Sequence, residues 1–195
     1  VTGATAGAKT YYFDDVAFGG GTPPPPPTAW EPITFDSSAV AYTLTGFGGA
    51  DDSTVVVDPA GGTNKVAKVV KSATAELWAG TTVSTGPNFS VPRIPFTASA
   101  TTMTVRVYSP DAGIQVRLKV EDAADPTKSV ETEATTTVAN AWETLTFDFA
   151  DQAAGTAALN LATTYNKASI FFNFGVTGAT AGAKTYYFDD VAFGV

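Results

Sequence analysis

Polar and aromatic side chains alternate with apolar ones along several segments of this sequence. The polar and aromatic side chains are the residues best placed to bind a ligand or do chemistry. Side chains of an extended segment point to opposite faces in turn, so Gln115 and Arg117 face away from Val116 and Leu118. The outward candidates are Glu76, Trp78, Arg106, Tyr108, Gln115, Arg117, Phe171 and Asn173. Aromatic rings stack on the apolar face of a sugar, and planar polar groups bond its hydroxyls. The set predicts sugar binding on a sheet face; the alternative is a buried Trp78 beneath a solvated surface.

A second candidate site gathers carboxylates at strand ends. Alternation from Tyr187 to Phe193 places Asp189 on the same face as Val191, which would turn a carboxylate towards the core. An unpaired buried carboxylate is costly, whereas a bound calcium ion makes it favourable. The predicted calcium ligands are Asp36, Asn64, Asp189 and Asp190. The alternative is an Asp pair that caps a strand end through turn amides, and the residues alone leave both open.

Missing residue types exclude several classes of enzyme chemistry. The sequence contains no histidine and no cysteine, which excludes Ser-His-Asp and Cys-His nucleophile pairs, histidine-based zinc sites and disulfides. Glu131 and Glu133 lie on one face of a predicted strand, roughly 7 Å apart by the strand rise. Such a pair is typical of a solvated face rather than of the paired acids of a glycosidase. We therefore expect a protein that is not an enzyme.

The elements that must position these residues are β-strands. Period-two alternation recurs along most of the chain, with turn residues between the segments. The predicted strands are Ile33–Asp36, Tyr42–Gly46, Thr54–Val57, Lys65–Lys71, Glu76–Val83, Met103–Val107, Ile114–Val120, Ser129–Thr135, Leu145–Phe149, Ile170–Phe174 and Lys184–Phe193. About eleven short strands without a βαβ pattern predict an all-β fold, an antiparallel β-sandwich of jelly-roll type.

One segment occurs twice in the chain. Residues 1–19 and residues 176–194 both read VTGATAGAKTYYFDDVAFG. This identity predicts tandem copies of one domain, with residues 1–19 as the C-terminal strand of a preceding copy. Residues 20–28 form a Gly/Pro linker, and residues 29–195 form the complete β-sandwich domain. A spare strand of this kind predicts strand exchange with a neighbouring copy.

The charge balance bears on possible partners. The chain has 11 Lys and Arg against 19 Asp and Glu, a formal net charge of −8. Nucleic acids and anionic membranes are bound by basic surfaces, and the sequence has no basic cluster. No apolar run approaches the roughly 18 residues of a membrane span. We expect neither nucleic-acid binding nor membrane insertion.

Six segments, taken in order, resemble a known family. They are Ile33–Asp36, Asn64–Val69, Glu76–Gly80, Trp142–Phe147, Phe172–Gly175 and Phe188–Val191. Over most of residues 33–193 the chain resembles the galactose-binding-like, jelly-roll carbohydrate-binding modules of family four and its relatives. The resemblance implies a non-catalytic module with a structural calcium ion near Asp189. It also implies a groove for soluble glycans that Trp78 lines and Asn173 touches, although Asn173 replaces the usual glutamine.

The candidate residues and the family resemblance together favour carbohydrate binding over a purely structural role. The favoured function is a carbohydrate-binding module for a neutral polysaccharide such as a β-glucan, because the acidic chain disfavours polyanions. We expect it in tandem copies on a secreted or cell-surface bacterial protein, where avidity would add to affinity. The alternative is a structural stalk or adhesin repeat, stiffened by calcium and assembled by strand donation.

Overall fold

The computed structural model describes residues 30–194, and the predictions for residues 1–19 and 20–28 lie outside this range. The strands are Thr43–Phe47 (β1), Asp52–Val57 (β2), Lys65–Lys71 (β3), Gly80–Ser84 (β4), Thr102–Ser109 (β5), Gln115–Asp122 (β6), Asp125–Thr135 (β7), Ala141–Asp148 (β8), Lys167–Phe172 (β9) and Lys184–Phe193 (β10). A 3₁₀ turn at Pro87–Phe89 and one helix, Gly178–Ala181 (α1), complete the elements of this range. No helix in residues 30–194 is long and apolar enough to cross a membrane.

The strands form two five-stranded antiparallel sheets that pack face to face. The first sheet has the order β1-β4-β9-β6-β7, and the second has the order β2-β3-β10-β5-β8. The predicted all-β sandwich is therefore confirmed.

The core lies between the sheets and follows the alternation of the sequence. Met103, Val105 and Val107 of β5 are fully buried, and the apolar residues of β6 face them from the other sheet. The rings of Phe172 on β9 and Tyr186 on β10 stack with centroids 4.7 Å apart and planes 4° apart, which joins the two sheets. With one face of each sheet used for the core, two outer faces remain for function.

Three predicted strands differ clearly from the structure, and one of them, Ile170–Phe174, is observed as Lys167–Phe172. The segment predicted to run from Glu76 to Val83 is a turn up to Ala79, and β4 begins at Gly80. Leu77 lies between the outward candidates Glu76 and Trp78, so alternation would turn it into the core, but 43% of its surface is exposed. The predicted first strand is a single antiparallel bridge between Ile33 and Val191.

A β-bulge in the last strand overturns the predicted orientation of Asp189. Asp190 has a left-handed backbone with φ of 47°, and the β10–β5 register shifts there. The extra residue turns both Phe188 and Val191 into the core. Asp189 consequently lies on the outer face, opposite Arg106, rather than pointing inward with Val191.

Candidate functional site

Strand register lines up side chains in rows across the outer face of the first sheet. The rows follow the pairings of neighbouring strands: β1 with β4, β4 with β9, β9 with β6 and β6 with β7. For β4 and β9 the observed register is extended by one residue at each end. They are Phe47–Gly80–Phe171–Arg117–Glu133, Thr45–Thr82–Ser169–Lys119–Glu131 and Thr43–Ser84–Lys167–Glu121–Ser129. In these rows aromatic and hydroxyl groups predominate on β1, β4 and β9, where Lys167 is the one charged residue, and charged groups predominate on β6 and β7.

A groove of about 420 Å³ opens on this face. Its lining residues are Phe47, Trp78, Thr82, Arg117, Lys119, Glu121, Glu131, Lys167, Ser169, Phe171 and Phe174. A volume of this size lies in the range of small-ligand sites.

The apolar wall of the groove is a chain of four aromatic rings. The Trp78 indole, 48% exposed, stacks on Phe47 with centroids 6.2 Å apart and planes at 20°. Phe47 meets the Phe171 ring edge-on at 5.6 Å, and Phe171 meets Phe174 in the same way at 5.8 Å. Gly80 makes room for them, because a Cβ there would lie 2.6 Å from a ring carbon of Phe171 and 2.9 Å from one of Phe47.

Backbone contacts hold the turn that carries Trp78. The Glu76 N–H donates to the Gly48 carbonyl at 2.8 Å, and the Gly175 N–H donates to the Leu77 carbonyl at 3.0 Å. Gly48 has a left-handed backbone and no side chain, so the Trp78 ring can lie against it, 2.9 Å from where a Cβ would be. The exposed indole therefore rests on a fixed support from two neighbouring loops.

The charged side of the groove is internally compensated. The Arg117 Nη1 lies 2.8 Å from Glu131 Oε2, Arg117 Nε donates to Glu133 Oε1 at 2.7 Å, and the guanidinium lies 3.6 Å above the Phe174 ring centroid. Lys119 and Lys167 both contact Glu121, at 2.9 Å and 3.2 Å. Three cations therefore face three carboxylates.

Two hydroxyls lie between the aromatic and charged sides. Thr82 Oγ1 and Ser169 Oγ are 2.8 Å apart and form a hydrogen bond. Each hydroxyl can both donate and accept, so the pair can exchange its mutual bond for bonds to ligand hydroxyls. A ring platform beside such groups can hold a sugar by stacking and by hydrogen bonds.

The structure brings together part of the predicted sugar-binding set. Trp78, Arg117 and Phe171 line the groove. Gln115 lies two residues before Arg117 on the same face of β6, and its amide donates to Glu133. Glu76 and Asn173 belong to the adjoining loops.

Arg106 and Tyr108 are not part of this face, because β5 belongs to the second sheet. The Arg106 guanidinium lies 4.3 Å above the Trp142 ring and 3.5 Å from Asp189 Oδ2. Tyr108 packs edge-on against Trp142 at 5.7 Å. These two residues therefore contribute to a packed cluster on the opposite outer face.

The prediction missed several lining residues. Phe47, Thr82, Ser169 and Lys167 reach the groove through the register between distant strands, for which the sequence carries no local signal. Alternation within the predicted strand Ile170–Phe174 would place Phe171 and Phe174 on opposite faces. Phe174 instead lies beyond the end of β9 and lines the groove together with Phe171. Lys119 shares the outward alternation of Arg117, which was a usable signal.

Of the four predicted calcium ligands, only Asn64 and Asp189 are in direct contact. Asp189, 1% exposed, accepts a hydrogen bond from the Asn64 amide at Oδ2 (3.0 Å), and its Oδ1 has no hydrogen-bond partner in the described range. Burial raises the pKa of the Asp189 carboxyl to about 6, although the Asn64 bond and Arg106 act in the opposite direction. Asp36 is exposed and accepts from the Lys65 N–H at 2.8 Å, and Asp190 is exposed on the bulge.

Carboxylates alone do not complete a metal site at this position. Within residues 30–194 no three His, Cys, Asp or Glu side chains come close enough to hold a metal ion. The unpartnered Oδ1 of Asp189 could nevertheless bind a cation, and a rotated Asn64 amide would turn its oxygen towards Oδ2 of the same carboxylate. Calcium accepts amide oxygens as well as carboxylates, so Asp189 and Asn64 would supply two of the roughly six to eight ligands that such an ion takes.

Comparisons with known proteins identify the fold. No family model and no curated protein sequence matches the chain. Among solved structures it is similar to the family 11 carbohydrate-binding module of a cellulosomal cellulase from Clostridium thermocellum, with 12% identity, TM-score 0.51, and coverage of 85% of this chain and 95% of that one. A family 11 carbohydrate-binding module from Clostridium thermocellum in complex with a β-1,3-1,4-mixed-linked tetrasaccharide matches at 13% identity and TM-score 0.51, over 85% of this chain and 95% of that one. An exo-β-agarase matches at 14% identity and TM-score 0.51, over 83% of this chain and 24% of the agarase. This chain thus has the β-sandwich fold that carbohydrate-binding modules use.

Proposed function

We propose that this domain is a non-catalytic carbohydrate-binding module and that it binds a polysaccharide chain in the groove of the first sheet. The observation that carries the proposal is the exposed Trp78, backed by Phe47 at the edge of a floor lined with hydroxyls and compensated charges. A sugar ring would stack on Trp78, while its neighbours along the chain would bond the polar floor. The similar fold of a family 11 module in complex with a mixed-linked tetrasaccharide supports the proposal.

The charges of the floor favour a neutral ligand. Arg117 is engaged by Glu131 and Glu133, and both lysines are engaged by Glu121. A uronate or sulfate group would find no free cation among these residues, and the net charge of −8 would repel it. We therefore propose neutral chains of the β-glucan type, including mixed-linked glucan.

The same contacts support a binding role rather than hydrolysis. Glu131 and Glu133 are the carboxylates that would serve as a general acid and a base or nucleophile. One guanidinium engages both of them. The two catalytic roles require carboxyl groups in different environments. Glu131 and Glu133 instead share the same guanidinium.

Calorimetric titration against a glycan panel tests the proposal. The panel contains mixed-linked glucan, glucomannan and xylan, with polygalacturonate as the charged member. We expect saturable heat with at least one neutral glycan and none with polygalacturonate. Tighter binding of polygalacturonate than of every neutral glycan would contradict the proposed ligand class, and no binding to any glycan would contradict the function.

We also propose a structural calcium ion held by Asp189 with Asn64 and Asp36, which would relieve the unpartnered buried Oδ1. A ligand that binds only the folded state raises the melting temperature. We expect Tm to rise on adding calcium to chelator-treated protein, and not to rise in Asp189→Asn. Equal Tm values with calcium and with chelator would refute the site.

A second candidate function is a structural repeat of a secreted or cell-surface array. Residues 1–19 have the same sequence as residues 176–194, which contain β10, the central strand of the second sheet. We propose that such a copy can exchange into a neighbouring chain in place of β10. Light scattering at high concentration should then detect oligomers that Phe13→Asp abolishes, because Phe13 corresponds to the core residue Phe188. A monomer at all concentrations would contradict the exchange.

A further inference from the structure

Lys71 occupies a position that the alternation of β3 assigns to an apolar residue. Ala67, Val69 and Lys71 share the inward face of this strand, and Lys71 is only 2% exposed. Burying an ammonium group is unfavourable unless polar partners surround it. Burial accordingly lowers the pKa of Lys71. A lysine at such a position needs a specific set of partners.

Those partners are three main-chain carbonyls at the end of β9, in the opposite sheet, and in the segment that follows it. Lys71 Nζ donates to the carbonyls of Val176 at 2.8 Å, Asn173 at 2.9 Å and Phe172 at 3.3 Å. The side chain therefore crosses the sandwich from β3 to the end of β9. No carboxylate in residues 30–194 forms a salt bridge with Lys71, so the carbonyl dipoles alone compensate its charge.

The backbone of the segment 173–176 is shaped around this ammonium group. Asn173 and Gly175 both have left-handed backbones, with φ of 48° and 82°. Two such residues so close together turn the chain sharply, and the carbonyls of Asn173 and Val176 both come within hydrogen-bond distance of one nitrogen. Without the ammonium, the Val176 carbonyl would lose its Lys71 donor, and the Asn173 carbonyl would keep only the Val176 N–H at 3.3 Å.

The same segment forms one rim of the groove. Phe174 lines it and lies beneath the Arg117 guanidinium. The Phe174 N–H donates to the Gln115 carbonyl at 3.0 Å, and the Gly175 N–H donates to the Leu77 carbonyl, next to Trp78. The segment therefore contacts both the charged side of the groove and the turn that carries the exposed indole.

We propose that Lys71 is a positioning residue for the groove: its buried ammonium holds the segment 173–176 and thereby places Trp78 and Phe174. Lys71 touches no ligand and acts through the three carbonyls. The expected effect of Lys71 on glycan affinity rests on the proposed function. The effect of Lys71 on the position of Trp78 can be measured without a ligand.

The test uses the full chain labelled with 5-fluorotryptophan, which gives one ¹⁹F resonance for each of Trp30, Trp78 and Trp142. The Trp78 signal is assigned with Trp78→Phe. In Lys71→Met we expect the Trp78 resonance to shift or broaden, while the Trp142 resonance stays in place because Trp142 lies on the other outer face. Spectra are recorded well below the unfolding transition of every variant.

Two control variants distinguish a positioning role of Lys71 from a general loss of stability and from the loss of a positive charge. Val69→Ala shortens a buried side chain on the same inward face of β3, and Lys68→Met removes an ammonium that pairs with Asp52 on the outer face. Neither should move the Trp78 resonance. If Lys71→Met does not fold, Lys71→Gln, which keeps amide donors, should show the same shift with smaller amplitude.

Glycan titration gives the second readout. We expect Lys71→Met to bind the preferred glycan at least about tenfold more weakly, since small displacements of a binding group are enough for such a loss. Val69→Ala should bind like the wild type. An unchanged Trp78 resonance together with unchanged affinity would overturn the proposal. A displaced Trp78 resonance in a protein whose wild type binds no glycan would uphold the positioning role and refute the proposed function.

Discussion

The indole of Trp78 lies nearly parallel to the ring of Phe47, with centroids 6.2 Å apart, and both residues line the groove. The two residues come from the turn before β4 and from the end of β1. An aromatic platform fixed in this way loses little conformational freedom when a ligand stacks on it. Phe47, which the strand register places on the outer face, thereby supports the ring on which a sugar is proposed to stack.

Removing Phe47 should weaken binding even though Trp78 remains. In Phe47→Ala the indole loses its stacking partner, and we expect the affinity for the preferred glycan to fall by about 1 kcal/mol, the worth of one aromatic pair. Titration calorimetry measures the loss, and the Trp78 ¹⁹F resonance should broaden in parallel. Leu161→Ala, which removes another exposed apolar side chain, serves as the control and should bind normally. Wild-type affinity in Phe47→Ala would show that Trp78 needs no support.

Gly80 is expected to tolerate no side chain. A methyl group at this position would collide with the rings of Phe171 and Phe47, so Gly80→Ala must displace the aromatic wall. We expect a loss of about 1–3 kcal/mol in the free energy of unfolding, typical of overpacking, together with weaker glycan binding. Urea unfolding and calorimetry measure the two effects. Thr43→Ala, at the exposed end of the same face, should change neither.

Arg117 compensates two carboxylates that would otherwise repel each other. In Arg117→Met, Glu131 and Glu133 lose their shared cation and Phe174 loses the guanidinium above it. We expect the free energy of unfolding to fall by about 1–2 kcal/mol, because the pair is only partly shielded from water. Lys128→Met, which breaks the exposed pair with Asp125, should cost close to nothing. Equal urea midpoints for the two variants would contradict this difference.

Asp189 should make the domain less stable as pH rises when calcium is absent. Its pKa is raised to about 6 in the folded protein, so its favourable contribution is complete below the unfolded value of 3.8 and is lost as pH rises through 6. The shift corresponds to about 3 kcal/mol at most. In chelator, the free energy of unfolding of wild type relative to Asp189→Asn should fall between about pH 4 and about pH 7. A constant difference over this range would refute the raised pKa.

The sequence predicted the inward and outward faces of most strands because alternation is local. Met103, Val105 and Val107 are buried as their spacing indicates. A sandwich, however, has two outer faces, and alternation does not distinguish them. Arg106 and Arg117 therefore looked alike in the sequence, although strand pairing places them on opposite sheets.

Local backbone geometry accounts for the other differences. The left-handed Asp190 inserts a bulge that reverses the face of Asp189, and nothing in the period-two pattern signals it. The turn at Glu76–Ala79 breaks a predicted strand because its backbone hydrogen-bonds to loops rather than to a strand. The inward Lys71 did break the alternation of β3, but its three carbonyl partners come from a segment about 100 residues away.

The most direct test of the binding site compares one substitution on each outer face. Mixed-linked glucan is titrated into the wild type, into Trp78→Ala and into Tyr108→Ala, whose ring lies on the second sheet. We predict that Trp78→Ala loses about 2 kcal/mol of binding free energy, roughly a 30-fold change in Kd, and that Tyr108→Ala binds like the wild type. Unchanged binding in Trp78→Ala with loss in Tyr108→Ala would place the site on the second sheet and contradict the account given for the groove.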